Sequence, residues 1–81
     1  MALKTSSPHL PFSNEMQITL NGQAHPIEEE TTLNHLLESL DLGGKPVVAE
    51  LNEQAILPRD FATTVIQADD KLEIVALAAG G

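Results

Sequence analysis

Leu33, Leu36, Leu37 and Leu40 recur at i, i+3, i+4 and i+7, the spacing of a helix with one buried stripe. No second stripe of this kind follows, so the chain offers one principal helix and needs one apolar surface to receive it. The other apolar residues supply that surface in a period of two. Met16, Ile18 and Leu20 alternate with Gln17 and Thr19, which predicts a strand with one buried face. Asn21-Gly22 tolerates positive φ at both positions and predicts a tight hairpin, with Gln23 to Ile27 returning as a second strand. Pro26 has no N–H to give to a ladder and belongs at an unpaired or edge position of that strand. Thr31 or Thr32 is the expected helix cap, with Glu28, Glu29 and Glu30 just ahead of the helix start. Gly43 and Gly44 are the expected left-handed stop, and Pro46 blocks continuation.

Beyond the helix the elements are short. Val47 to Leu51 predicts a third strand, Asn52-Glu53 a turn, and Gln54 to Leu57 a fourth strand. Pro58-Arg59-Asp60 reads as a turn or 3₁₀ piece, Thr63 to Gln67 as a brief extended stretch and Ala68-Asp69-Asp70 as another turn. Lys71 to Ala76 predicts the last strand, with Leu72, Ile74 and Ala76 on one face. The fold class that satisfies this order is α+β: a mixed sheet packed on one principal helix, with its other face open to solvent or to a partner.

Residues 1–15 read differently. Ser6, Ser7, Pro8, Pro11, Ser13 and Asn14 punctuate them, and Leu3, Leu10 and Phe12 follow no period. They are expected to be a disordered leader or added extension, dispensable for folding, with order beginning at Met16. Residues 16–81 then form one small domain. A domain of that size buries only roughly 60% of its unfolded surface.

Composition removes several functions. The chain has 4 basic and 12 acidic residues, a formal net charge of -8. Such a surface repels nucleic-acid phosphate and anionic membranes, and it either suits a basic protein surface or only keeps a small protein soluble. Phe12 and Phe61 are the only aromatic residues, too few for a base-stacking platform. There is no cysteine, hence no thiolate metal site and no disulfide, which suits a reducing cytoplasm. No apolar run has the length of a membrane span. His9, His25 and His35 are scattered, no Ser or Thr has a paired base, and Glu28 to Glu30 read as a solvated charge run. No catalytic side chain, metal site or phosphate loop is identified, so no cofactor is expected on this chain.

The segment after the last strand is Leu77-Ala78-Ala79-Gly80-Gly81. A diglycine lacks Cβ atoms and can thread a narrow channel, presenting an unhindered carboxylate to a reagent in another protein's active site. A carboxylate needs activation before it reacts as an electrophile. With no nucleotide-binding motif here, activation falls to a partner.

Met16-Gln17-Ile18-Thr19-Leu20-Asn21-Gly22, Thr32-Leu33 with Leu36-Leu37, Val47-Val48-Ala49-Glu50-Leu51-Asn52, Leu57-Pro58-Arg59, Asp70-Lys71-Leu72-Glu73-Ile74-Val75 and Gly80-Gly81 occur in one order at one spacing. In these motifs residues 16–81 resemble the sulfur carriers of thiamine biosynthesis, the ThiS family of the ubiquitin-like β-grasp superfamily. Asn52-Glu53 stands where that family often has Asn-Gly, and Asp69-Asp70 where it often has Gly-Asp. The resemblance implies a carrier rather than an enzyme. An E1-like adenylyltransferase would use ATP to form an acyl-adenylate on Gly81. Sulfur drawn from cysteine through a desulfurase would convert it to a thiocarboxylate, and a thiazole synthase would take the sulfur. Gly81 would carry the group and Gly80 give access. Val75, Leu77, Ala78 and Ala79 are the docking candidates, Val75 and Leu77 because they leave the last strand on the face opposite Leu72 and Ile74. The alternatives are the small subunit of molybdopterin synthase, a conjugating ubiquitin-like modifier and an interaction domain with an inert tail.

Overall fold

The computed structural model describes residues 15–77. The first strand, β1 (Glu15–Leu20), turns through Asn21-Gly22 into β2 (Gln23–Glu28). The helix α1 (Leu33–Ser39) follows, then β3 (Val47–Leu51), β4 (Gln54–Ile56), a 3₁₀ segment (Pro58–Thr63) and β5 (Lys71–Ala76). The strands form one sheet in the order β2-β1-β5-β3-β4. The central pair β1–β5 is parallel and the other three pairs are antiparallel. Pro26 lies on edge strand β2, where its missing N–H interrupts nothing beyond its pairing with Gln17. Strand β1 starts at Glu15, one residue before the expected Met16, because Glu15 pairs with Glu28 and extends the hairpin. The rest of the proposed leader lies outside the described residues.

One face of the sheet is the core. Ile18, Ile27, Val47, Ala49, Leu72 and Ile74 point from four strands toward Leu33, Leu36 and Leu37, and all are buried. Phe61 and Ile66, which carried no period in the sequence, close the same core from the connection between β4 and β5. That connection is tied to the start of the helix by Leu33 N–H donating to Thr64 C=O at 2.8 Å and Ile66 N–H donating to Thr31 C=O at 2.9 Å. Among the described residues no polar or charged side chain is buried.

Thr32 is the helix N-cap, its hydroxyl accepting the His35 N–H at 3.1 Å. The three glutamates precede that cap, and none lies in the first helical turn. The helix stop departs from expectation. Its left-handed residue is Asp41, at φ 63°, and not Gly43 or Gly44. Leu42 N–H reaches Leu37 C=O at 2.8 Å and Asp41 N–H reaches Glu38 C=O at 3.1 Å, the paired bonds of a Schellman motif. Leu40 therefore becomes the C-cap and is half-buried, whereas the stripe had it buried. Asp can occupy this site because its short polar side chain lowers the cost of a positive φ.

Both hairpins have two-residue loops with positive φ at both positions: 49° and 84° at Asn21-Gly22, 51° and 70° at Asn52-Glu53. This is the turn whose twist matches the strands it joins. Glu53 adopts it without glycine's freedom and is strained there. Glu53→Gly is expected to stabilise the domain by about 0.5–1 kcal/mol, the left-handed strain relieved less the entropy glycine adds to the unfolded chain. Thermal unfolding checks this, with a rise of about 2–8 °C for a domain of this size.

Candidate functional site: the last strand and the open sheet face

Strand β5 lies between β1 and β3 and leads into residues 78–81. Its alternation puts Leu72 and Ile74 into the core and Lys71, Glu73 and Val75 on the opposite, open face. On β3, Val47 and Ala49 point inward while Val48 and Glu50 point outward. The antiparallel register then sets Val48 directly opposite Val75 and Glu50 directly opposite Glu73. The ladder continues one residue past β5, with Leu77 N–H donating to Pro46 C=O at 2.9 Å.

The open face thus carries an apolar cross-strand pair beside an acidic one. Val48 is 46% exposed, Val75 60% and Leu77 49%. Glu50, Glu53 and Glu73 line a shallow recess with Lys71 next to this patch. Directly opposed like charges weaken a sheet rather than stabilise it, so the Glu50–Glu73 pair contributes nothing to the fold. An apolar pair flanked on one side by carboxylates suits a partner surface that is apolar with a basic patch beside it.

Of the residues expected to dock, Val75 and Leu77 lie on this face. Ala78, Ala79, Gly80 and Gly81 lie outside the described residues. Val48 was not singled out in the sequence. Its outward direction follows from the β3 alternation, but its place beside Val75 depends on a register between strands far apart in the chain. His25 and His35 are on separate elements, and among the described residues no three His, Asp or Glu side chains come together as a metal site. No helix of the described residues is long and apolar enough to cross a membrane.

Two side chains fasten β5 at its ends. Asn52 Nδ2 donates to Asp70 Oδ1 at 2.9 Å, and Lys71 N–H donates to Asn52 Oδ1 at 2.9 Å. Asp70 Oδ2 also accepts Gln67 N–H at 2.8 Å, which closes the turn carrying Asp69 at φ 67°. Asn21 Oδ1 accepts Ile74 N–H at 2.8 Å and its Nδ2 donates to Ile74 C=O at 3.2 Å. The sequence marks both asparagines only as turn formers.

A five-stranded mixed sheet with one helix across one face, ending in a central strand that leads to the tail, is a ubiquitin-like β-grasp domain. The ThiS family model matches residues 16–81, and the chain belongs to that family. It is 36% identical over 64 residues to the sulfur carrier protein ThiS of Thermus thermophilus, covering 79% of this chain and 98% of that one. It is also 36% identical over 66 residues to a thiazole synthase of Magnetococcus marinus, covering 82% of this chain but only 20% of that protein. The chain thus spans about a fifth of the length of the thiazole synthases it matches. The crystal structure of the thiamine biosynthesis protein ThiS of Geobacter metallireducens superimposes with a TM-score of 0.69 at 26% identity, over 82% of this chain and all of that one.

Proposed function

We propose that this protein is a sulfur carrier of thiamine biosynthesis, working in the cytoplasm as a cosubstrate of partner enzymes. Gly81 carries the reacting carboxylate. An E1-like adenylyltransferase joins it to AMP from ATP with release of pyrophosphate. Persulfide sulfur from a desulfurase route attacks the adenylate carbonyl and displaces AMP, a thiol reductant cleaves the resulting acyl disulfide, and the thiocarboxylate so released is consumed by a thiazole synthase. Gly80 gives the tail access, and Val75, Leu77, Ala78 and Ala79, with Val48, form the docking surface.

The observation that carries this reading is the exposed Val48–Val75 pair, continued by Leu77, on the strand that leads to the diglycine. The family match extends through Gly80 and Gly81. A thiazole synthase in which 66 residues are similar to this chain supports that enzyme as the acceptor. The recess of Glu50, Glu53 and Glu73 with Lys71, net acidic, supports a basic patch on the partners.

Replacing Val48 and Val75 together by serine tests the docking surface. Both are exposed, so the melting temperature should hold. The Kd for the adenylyltransferase, read by titration calorimetry, should rise by about tenfold or more, as for central apolar contacts of an interface. An unchanged Kd would remove this face from the reading.

A further inference from the structure

Strand β1 pairs with β5 only at Thr19–Lys71 and Leu20–Leu72 before the chain turns away at Asn21. The parallel ladder runs from Thr19 N–H, which donates to Asp70 C=O at 2.9 Å, to Asn21 N–H, which donates to Leu72 C=O at 2.9 Å. A further step would need a carbonyl at residue 21 for Ile74 N–H and an amide beyond it for Ile74 C=O. The positive φ of Asn21 turns the backbone away from both. The Asn21 carboxamide takes their place, Oδ1 accepting Ile74 N–H at 2.8 Å and Nδ2 donating to Ile74 C=O at 3.2 Å. The side chain thus stands in for the next peptide unit of the missing strand.

The position of this substitution gives it a consequence for the tail. On the β3 side, β5 is paired as far as Leu77. On the β1 side, the Asn21 carboxamide is the last fastening among the described residues before the chain runs on to the diglycine. We infer that Asn21 is a positioning residue for the carrier reaction: it holds the last strand in register beyond the end of β1 and so fixes where the tail departs. With the carboxamide gone, the end of β5 opens on one side and part of the population presents the tail in other directions. A partner then meets a smaller competent fraction, which raises apparent KM and leaves kcat alone. The functional half of this inference rests on the carrier reading; the fastening itself does not.

Two variants of the full chain test it. Asn21→Gly keeps the positive φ and removes the carboxamide. Asn21→Asp keeps the shape and sets a carboxylate oxygen against Ile74 C=O. Amide hydrogen exchange at Ile74 should quicken about tenfold in Asn21→Gly, which loses the acceptor of that amide, and should stay slow in Asn21→Asp, which keeps the acceptor and loses only the bond to Ile74 C=O. Glu73 and Val75, whose amides face β3, and Leu36 in the helix should exchange as in the wild type, which shows the fold intact. With the adenylyltransferase and ATP, apparent KM for the carrier should rise about five- to tenfold with kcat within about twofold. Unchanged exchange at Ile74 in Asn21→Gly would overturn the fastening. Quickened exchange with unchanged KM, or a fall in kcat alone, would overturn the positioning role. A wild-type chain that is not adenylated would instead defeat the carrier reading, and the exchange arm would still decide the fastening.

Discussion

Deleting Gly81 is expected to abolish both acyl-adenylate and thiocarboxylate formation while leaving a folded domain. The buried core runs from Ile18 to Ile74, and all of its residues lie upstream of the tail. Removing the last glycine moves the carboxylate back by one residue, about 3.3–3.6 Å of extended chain. Adenylyl transfer to a carboxylate, and attack of sulfur on the acyl carbon that follows, both demand reacting atoms held within about 3–3.5 Å, so a displacement of that size takes the group out of reach. A bulky residue in place of Gly80 should give the same result by another cause, because a channel shaped for bare backbone has no room for a side chain. Intact mass and circular dichroism on the same samples separate lost chemistry from lost fold. Alanine at His25, His35 or Glu29 should leave the chemistry intact, although Glu29→Ala could weaken docking by removing one acidic charge.

Replacing Leu33 by alanine is expected to cost about 2–5 kcal/mol of folding stability. Leu33 is fully buried at the point where the helix, the sheet and the β4–β5 connection meet. Its own N–H is bonded to Thr64 C=O, so the surrounding backbone is held and cannot collapse into the space left. Domains of this size have little stability to spare, and a loss at the upper end of that range leaves much of the population unfolded at 37 °C. Urea denaturation measures it. The same change at Leu40, which is half-buried at the helix C-cap, should cost clearly less.

What could be read in the sequence follows the range of the interactions. The Met16–Leu20 alternation, the Asn21-Gly22 turn and the leucine stripe are local, and each fixed its element to within a residue or two. The helix stop was misplaced because two glycines advertise a left-handed site more strongly than Asp41 does. The hydrogen bonds that select Asp41 come from the backbone of Leu37 and Glu38 and leave no mark in side-chain type. Phe61 and Ile66 have no period because a 3₁₀ segment and an irregular connection present them. At the site, Val75 and Leu77 followed from strand parity alone. Val48 needed the register of β3 against β5. The Asn21 carboxamide reaches across 53 residues of sequence to Ile74, and nothing local to Asn21-Gly22 distinguishes a turn former that also fastens a distant strand.

Conversion of the Gly81 carboxylate to a thiocarboxylate is read directly from the intact mass of the wild-type chain after incubation with its E1-like adenylyltransferase, ATP, a cysteine desulfurase, cysteine and a thiol reductant. The expected result is a mass gain equal to the exchange of one oxygen for sulfur, located by fragmentation to Gly81 and absent when ATP is omitted. A chain that keeps its original mass under these conditions, or that gains sulfur equally well after Gly81 is deleted, would contradict it.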